Sequence, residues 1–303
     1  MKYVVTGGAG FIGSNLVDSL VNEGHEVSVI DNLSTGKEDN VNSKAKLFIC
    51  DISHKESITT ITKVMKGADT VFHLAALARV QPSIQNPHEF NKVNVNGTLN
   101  ILTAAKEAGV RRVVYSASSS AYGDAKIFPT PENHPTDPLS PYGLQKLIGE
   151  QYCRVFYHCY GLETVSLRYF NVFGERQSLD GAYKLVMGVF VDQRLKGKPL
   201  TITGDGEQRR DFTYVGDVVK ANILASSSLL VGKGESINIG NGDNRSVNQI
   251  ADLIGGPKEY IEKRLEPQKT LADNRKAKEL LDWQPTTTVE EWIPKYKKEL
   301  NIK

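Results

Sequence analysis

The run Lys2-Tyr3-Val4-Val5-Thr6-Gly7-Gly8-Ala9-Gly10-Phe11-Ile12-Gly13, followed by Val27-Ser28-Val29-Ile30-Asp31, decides the fold. Residues 2–6 read as a short buried strand. The glycines open a helical pattern that runs to Glu23, and residues 27–30 read as a second strand closed by an acid. Gly7, Gly10 and Gly13 permit a tight turn, close approach of the backbone to a pyrophosphate, and close helix–strand packing. The helix N-terminus offers free N–H groups and the positive end of a dipole to phosphates. Asp31 is placed to accept from a ribose 2′-hydroxyl and would repel a 2′-phosphate, so the expected dinucleotide is NAD rather than NADP.

The alternation continues outward. Strand candidates are 46–50, 70–74, 112–116 and 163–168, and helices fit 54–66, 88–109 and 141–160. This pattern predicts an α/β fold with a doubly wound parallel sheet. Asp51 and Ile52 follow the third strand, where a side chain and a backbone group could meet an adenine edge. His73-Leu74-Ala75-Ala76 ends the fourth strand in small residues that leave room for a cofactor. After residue 170 the rhythm loosens. Glycine and proline punctuate 174–211, with a short strand at 200–202. Residues 216–229 look helical, and 236–239 look like a strand returning to the sheet. The segments 246–254, 273–282 and 289–300 are helical and charged. The expected division is a nucleotide-binding domain over 1–172, with 213–240 returning to it. A smaller, discontinuous substrate lobe, 173–212 and 241–303, would close over the carboxyl edge of the sheet.

Composition narrows the function classes. A chain of 303 residues, 40% hydrophobic and 24% charged, can bury a large core. A net charge of +2 gives no field that would favour nucleic acid or a membrane surface. Cys50, Cys153 and Cys159 lack C-x-x-C spacing, which points to reduced thiols and a cytosolic setting. Cys153 and Cys159 fall in a helical stretch and are expected to pack in the core. The six histidines show no metal-ligand spacing, so no metal is expected. The N-terminus reaches glycine too soon for a signal peptide. No apolar run approaches the ~18 residues of a membrane span. A cytoplasmic location is expected.

Tyr142-Gly143-Leu144-Gln145-Lys146 carries the chemistry. It follows Pro135, Pro138 and Pro141 and heads an apolar-periodic segment. Residues four apart share a helix face, roughly 5–6 Å between Cβ atoms. A lysine ammonium at that distance favours the phenolate and lowers the tyrosine pKa, making Tyr142 a candidate general base. Val113-Val114-Tyr115-Ser116-Ala117-Ser118-Ser119-Ser120 is a strand that runs into hydroxyls at its carboxyl end, where such sheets bind ligands. Taken singly, the first motif also fits a surface helix and the second a turn-capping serine run.

Together, Gly7-x-x-Gly10-x-x-Gly13, Ser118 with Tyr142-x-x-x-Lys146, and Arg168-Tyr169-Phe170-Asn171-Val172-Phe173-Gly174 resemble the extended short-chain dehydrogenase/reductase family. The pattern is most similar to its nucleotide-sugar 4-epimerases of the UDP-glucose and UDP-N-acetylglucosamine type. The likeness covers nearly the whole chain, including Gly204-Asp205-Gly206-Glu207-Gln208-Arg209-Arg210-Asp211-Phe212 and Leu271-Ala272-Asp273. It implies a Rossmann sheet and a cofactor site. In that site Gly7, Gly10, Phe11, Ile12, Gly13, Asp31 and Asn32 hold the adenosine and pyrophosphate of NAD. Asp51, Ile52, Ala75 and Asn94 complete it, and Lys146 bonds the nicotinamide ribose as well as tuning Tyr142. Ser118 and Ser119 stand with Tyr142 and Lys146 in the catalytic set. Ser118, Asn171, Arg210, Thr270 and Asp273 are implied on the UDP-sugar side, Asn171 and Arg210 at the diphosphate. A homodimer through 88–109 and 141–160 is implied as well.

Two departures bear on the reaction and the substrate. Related dehydratases carry an Asp-Glu pair, and related decarboxylases a glutamate, where this chain has Ser119 and Ser120 before Ala121-Tyr122-Gly123. Elimination and decarboxylation lose support, and reversible oxidation at C4 remains. The family's Arg-x-Gly-Asp stretch is replaced by Glu266-Pro267-Gln268-Lys269-Thr270-Leu271, read as shortened, with Lys269 or Arg275 as possible stand-ins at UDP. Thr270 aligns where some relatives place a bulky tyrosine beside C2 of the sugar, so room for an N-acetyl group is expected. The rival readings are a UDP-glucuronate or pentose 4-epimerase, a nucleotide-sugar reductase, and a non-catalytic NAD-sensing protein.

Overall fold

The computed structural model describes residues 1–178, 185–263 and 266–302. In chain order the first part runs β1 (Lys2–Thr6), α1 (Phe11–Asn22), β2 (Glu26–Asp31), β3 (Lys46–Ile49), α2 (Ile58–Met65), β4 (Thr70–His73), α3 (Val80–Gln85), α4 (Pro87–Asn91), α5 (Gly97–Ala108), β5 (Arg112–Ser118), α6 (Pro141–Tyr160) and β6 (Glu163–Tyr169). There follow β7 (Val172–Phe173), α7 (Val186–Leu195), β8 (Leu200–Thr203), β9 (Arg209–Asp211), β10 (Thr213–Tyr214), α8 (Val215–Ser227), β11 (Lys233–Ile239), β12 (Asn244–Ser246), α9 (Val247–Ile254), β13 (Lys258–Ile261), α10 (Arg275–Leu281) and α11 (Val289–Glu299).

Seven strands form one sheet in the order β11-β6-β5-β4-β1-β2-β3, every pairing parallel. Strands such as β1 and β4 are buried on both faces, and their near-continuous apolar runs follow from that. Leu16, Val17 and Leu20 of α1 pack on one face with Val218, Ala221 and Ala225 of α8 and Leu281 of α10. The other face takes Ile61 and Met65 of α2, Ile101 and Leu102 of α5, and Cys153 and Phe156 of α6. Each such aliphatic side chain contributes about 1.5–3 kcal/mol when fully buried. A third cluster joins Phe173, Met187 and Phe190 to Leu200, Ile202, Ile250, Ile254 and Trp292. The strand order reverses between β1 and β4. Ligands bind beyond the carboxyl ends of the strands at such a reversal, where Gly7 and Leu74 leave the sheet.

The doubly wound sheet and the return of 236–239 as part of β11 agree with the sequence reading. Several elements differ. The helix read over 88–109 is α4, a π-turn at Lys92–Asn96, and α5. The π-turn sits where Asn94 is needed inside: its Oδ1 accepts from Leu77 N (2.9 Å), and its Nδ2 donates to Leu77 O (2.9 Å) and Gln145 Oε1 (3.1 Å). Helix 54–66 begins later, at Ile58, after a 3-10 turn at Lys55–Ser57. α3 was not foreseen; it is short and contains Pro82. Nor was α7, whose Val186-Met187-Gly188-Val189-Phe190-Val191 is an apolar run with no 3.6 period. It lies in the stretch 174–211, of which 179–184 fall outside the described residues. Cys153 is fully buried as expected, but Cys159 is exposed on the solvent side of α6. Among the described residues no helix is long and apolar enough to cross a membrane, and no group of three or more His, Cys, Asp or Glu could hold a metal ion.

Candidate active site

The site is built around the first two turns of α6. Ser140 caps the helix by accepting from Gly143 N (3.1 Å), and Pro141 fills the first helical position with a φ already suited to it. The proline run thus ends where the helix must begin. Tyr142 then lies in the first turn and Lys146 one turn on, both against the carboxyl end of β5. The backbone N–H of Tyr142 donates to Ser83 Oγ of α3 (3.1 Å), which ties the two helices together.

A cavity of about 640 Å³ opens here. Its wall includes Phe11 and Ile12 from α1, Ser118 and Ser119 after β5, Tyr142 and Lys146 from α6, and Asn171, Arg210 and Thr270 at the far end. The structure therefore brings together nine of the residues singled out from sequence. Tyr142 is enclosed by protein yet half-open to the cavity. Burial raises its pKa above the usual phenol value, opposed by a hydrogen bond with the Ser118 side chain and by the charge of Arg79. Lys146 behaves differently from the expectation. Its Nζ donates to Ser116 O (2.8 Å) and lies over the Tyr115 ring (5.1 Å), and burial lowers it to about 8. In this structure the lysine ammonium is hydrogen-bonded to the strand. The Ser118 hydroxyl accepts from Ser120 Oγ (2.8 Å) and Ser120 N (3.2 Å), which fixes it beside the phenol.

At the opposite end, Asn171 Nδ2 donates to Asp211 O (3.0 Å) and Thr270 Oγ1 (3.3 Å). Thr270 Oγ1 also accepts from Asp211 N (3.1 Å). Arg210 pairs with Glu266 (2.5 Å), the one carboxylate lining the cavity among the described residues. Asp211 organises this end without facing the cavity. Its fully buried carboxylate accepts from Asn241 N (2.7 Å), Gly242 N (3.1 Å) and Ala272 N (2.9 Å). Burial pushes Asp211 up to about 7 against the pull of those three donors. Asp273 takes no part in the wall: its carboxylate is held by Arg275 at 2.5 Å. Neither proposed stand-in lines the cavity. Arg275 is exposed, and Lys269 lies over the Phe128 ring (4.7 Å).

The remaining nucleotide-side residues lie along the carboxyl ends of β1 to β4. Gly7 has φ +72, and a Cβ there would sit 2.6 Å from Ala75 N. A Cβ on Gly13 would sit 2.1 Å from Gly7 O. Only glycine allows this close turn. No side chain caps α1, whose N-cap is Gly10, and Ser14 N is the first amide of the helix to find a backbone acceptor, Gly10 O. The amides of Phe11, Ile12 and Gly13 are left for an anion. Asp31 Oδ2 accepts from Ala9 N (3.0 Å) and its Oδ1 from Leu33 N (2.8 Å), leaving lone pairs for a ribose. Asn32 Nδ2 donates to Asp51 Oδ2 (3.1 Å), and Ser53 N to Asp51 Oδ1 (2.8 Å). Burial works against the Asp51 carboxylate, but the Ser53 and Asn32 hydrogen bonds outweigh it and hold its pKa below the usual range. Ile52 is buried among the side chains of α2 and α5. An open cradle of amides next to an acid fits NAD.

Sequence reasoning missed Arg79, which lines the cavity at the reacting end with φ +127 and ψ 140. A side-chain-bearing residue in such a region costs of order 1–3 kcal/mol, and such outliers cluster at active sites. No sequence signal marks it, because any non-glycine residue is expected at negative φ.

Residues 3–240 match the model of the NAD dependent epimerase/dehydratase family. The chain is 42% identical over 298 residues to a protein of Methanocaldococcus jannaschii provisionally named a UDP-glucose 4-epimerase, covering 96% of this chain and 95% of that one. The UDP-glucose 4-epimerase of Thermotoga maritima, solved with UDP-glucose, is 39% identical with a TM-score of 0.93, over 99% of this chain and 100% of that one. The UDP-N-acetylglucosamine 4-epimerase of Methanobrevibacter ruminantium, solved with UDP-N-acetylmuramic acid, is 34% identical with a TM-score of 0.90, over 98% of each chain. The glycine cradle, the Ser118–Tyr142 pair and these likenesses together mean that the chain belongs to the NAD dependent epimerase/dehydratase family.

Proposed function

We propose that this protein is an NAD-dependent 4-epimerase of UDP-hexoses that interconverts UDP-glucose with UDP-galactose and UDP-N-acetylglucosamine with UDP-N-acetylgalactosamine. One observation carries the reading: a single cavity holds Ser118 and Tyr142 at one end and Arg210, Asn171 and Thr270 at the other, with no carboxylate at positions 119 and 120. The serines at those positions supply neither the acid nor the base that water elimination would need.

The amides of Phe11, Ile12 and Gly13 hold the pyrophosphate of NAD, Asp31 holds the adenosine ribose, Asp51 and Ile52 meet the adenine, and Lys146 turns to the nicotinamide ribose. When bound, NAD supplies reversible hydride uptake. Tyr142 takes the proton of the C4 hydroxyl, directly or through Ser118, whose hydroxyl lies on the same cavity wall. Arg210 and Asn171 grip the diphosphate, a task suited to guanidinium geometry. Once the hexose has turned about its diphosphate link, so that C4 receives hydride on its opposite face, Tyr142 returns the proton to the C4 oxygen. Thr270 is small and lies in the wall, which leaves room for an N-acetyl group. With the domain division taken at residue 172, Ser118, Tyr142 and Asn171 belong to the nucleotide-binding domain and Arg210 and Thr270 to the substrate lobe. A homodimer across α5 and α6 belongs to the same proposal, supported by exposed Leu144, Val155 and Tyr160 on α6.

The test is an NMR assay of purified protein, without added cofactor, against UDP-glucose and UDP-N-acetylglucosamine separately. Both are expected to give their C4 epimers. Conversion of UDP-glucose alone removes the Thr270 argument, and conversion of neither, with NAD added, removes the reading. Tyr142→Phe is expected to lose about 10²–10⁴-fold in turnover, and near-normal turnover would overturn the mechanism.

A further inference from the structure

The proposed reaction leaves two routes for the C4 proton, one straight to Tyr142 and one through Ser118, and the bonds around Ser118 choose between them. A serine hydroxyl has one hydrogen to give and two lone pairs to accept with. Ser118 Oγ accepts from Ser120 N (3.2 Å) and from Ser120 Oγ (2.8 Å). Both lone pairs are taken, so the hydroxyl has only its own hydrogen to offer to the cavity. The arrangement follows from local structure. Ser118 ends β5 in extended backbone and caps a 3-10 turn, Ser119–Tyr122, which brings Ser120 back over it. Gly123 closes the turn, its N–H donating to Ser120 O (3.3 Å). The same carbonyl is seated on α6: a Cβ on Gly143 would lie 2.7 Å from Ser120 O. Ser120 therefore holds Ser118 with its side chain and amide, and meets α6 beside Tyr142 with its carbonyl. Ser118, Ser120 and Tyr142 all line the cavity.

We propose that Ser120 is a positioning residue that acts through Ser118, filling its lone pairs so that Ser118 serves as a hydrogen-bond donor and Tyr142 takes the C4 proton directly. The role in turnover rests on the epimerase reading, whereas the order of the two hydroxyls belongs to the chain itself. A relay through Ser118 requires its oxygen to accept the C4 hydroxyl hydrogen while it passes its own hydrogen to the phenol oxygen. With Ser120 donating twice, no lone pair is left to receive that hydrogen. In the direct route the O–H bond at C4 breaks and its proton bonds to the Tyr142 oxygen. The hydrogen on C4 leaves as hydride to NAD, so atoms and charge balance. Ser118 donates to the reacting oxygens throughout, with no change in what it accepts. The sequence marked Ser120 only by the carboxylate it lacks. Its hydroxyl has a use of its own, which is to set the direction in which its neighbour's hydrogen points.

The experiment has a kinetic and a structural arm. Ser120→Ala removes the Oγ donor and keeps the amide donor and the contact with Gly143. Its kcat for UDP-glucose is expected to fall about tenfold, near the upper end for one neutral hydrogen bond, with KM and UDP affinity within about twofold. Ser120→Thr, which keeps the hydroxyl, is expected to stay within about threefold of wild type. On a Ser118→Ala background, Ser120→Ala is expected to cost less than about twofold more, because the residue it acts through is gone. An unchanged kcat in Ser120→Ala would overturn the proposal, as would a loss repeated in full on the Ser118→Ala background. The structural arm is neutron diffraction from crystals of the wild-type protein grown in heavy water. The deuterium of Ser120 Oγ is expected to point at Ser118 Oγ, and that of Ser118 into the cavity. A Ser118 deuterium directed at Ser120 Oγ would sink the proposal. Should wild type turn over no nucleotide sugar, the epimerase reading fails while the neutron map still decides the order of the hydroxyls.

Discussion

Glu150 is one helical turn beyond Lys146, and its replacement by alanine tests how α6 is held. The Arg168 guanidinium reaches Glu150 through Nε to Oε1 (2.9 Å) and Nη2 to Oε2 (2.7 Å), and Ser236 Oγ adds a third donor (3.0 Å). The two side chains are only 6% and 2% exposed. Burial works against the Arg168 charge, but the Glu150 hydrogen bonds overcome it and hold the guanidinium more firmly protonated than usual. Glu150→Ala would leave that charge buried with the Glu132 carbonyl (3.2 Å) and the Tyr122 ring (4.7 Å) as its remaining partners. Breaking one side of a buried pair costs about 3–5 kcal/mol, and these two partners argue for the lower end, about 3 kcal/mol. The assay is urea unfolding followed by circular dichroism, with two references. Glu26→Ala removes an exposed pair with Lys46 and is expected to leave the midpoint unmoved. The double change Glu150→Leu with Arg168→Met, which removes both charges at similar volume, is expected to recover most of the loss. The reasoning is refuted if Glu150→Ala is no more destabilising than Glu26→Ala.

Gly13→Ala places a Cβ 2.1 Å from Gly7 O, against backbone that cannot yield; the purified variant is expected to carry no NAD, read as nucleotide released on denaturation, and a full complement would contradict the cradle. His73 is buried between Thr6 Oγ1 (2.7 Å) and Thr98 Oγ1 (3.0 Å), and burial, with the Lys146 charge second, drives it from 6.5 to about 3. Its folded value lies below its unfolded one, so its contribution is complete above pH 6.5 and is lost as pH falls toward 3, by about 1.4 kcal/mol per pH unit. His73→Asn should flatten that limb of the stability–pH curve. Thr270→Tyr should depress turnover of UDP-N-acetylglucosamine at least tenfold more than that of UDP-glucose, an effect of order 1.4 kcal/mol. Thr270→Val, which removes only the hydroxyl that accepts from Asp211 N and Asn171, separates lost volume from lost hydrogen bonds, and equal damage to both sugars by Thr270→Tyr would count against the pocket argument.

Much of the fold was legible because its strongest signals are local. Gly13 is required by its approach to Gly7 O within one turn, and Tyr142 and Lys146 are spaced by the pitch of one helix. Central strands such as β1 and β4 are buried on both faces, and a short window of sequence detects their apolar runs. What sequence could not show depends on which distant groups meet. Lys146 was read with Tyr142 because they share a helix face, yet Ser116 O, thirty residues upstream, captures its ammonium at 2.8 Å. Asp273 was carried to the substrate side with its motif, yet Arg275 two residues on takes its carboxylate. Asp211 drew no role from its own neighbours, since the three amides it accepts from lie at 241, 242 and 272. Glu266 was passed over within a segment read as shortened, and it faces Arg210 directly.

The same contrast between local and distant contacts bears on how one cavity can bind firmly and still release a face of the sugar. At the nucleotide end every wall group is braced. Asn171 is held by Asp211 O, Thr270 by Asp211 N and Arg210 by Glu266, while Asp211 is itself locked by three amides from two other segments. These groups cannot follow a moving ligand without breaking buried hydrogen bonds, each costing about 1–3 kcal/mol if left unsatisfied. The reacting end is made differently. Its polar lining includes Arg79, Lys146 and the hydroxyls of Ser118, Ser119 and Tyr142, and Val80, Ile84, Leu139 and Val186 beside them offer a hexose no directional hold. In the proposed reaction, a diphosphate anchored at Arg210 and a sugar among these apolar side chains would have a fixed pivot and a free ring. A 4-keto sugar whose C4 must present both faces to one hydride donor requires that division of labour. A site built to fix the hexose on every side would oxidise it and return the same epimer.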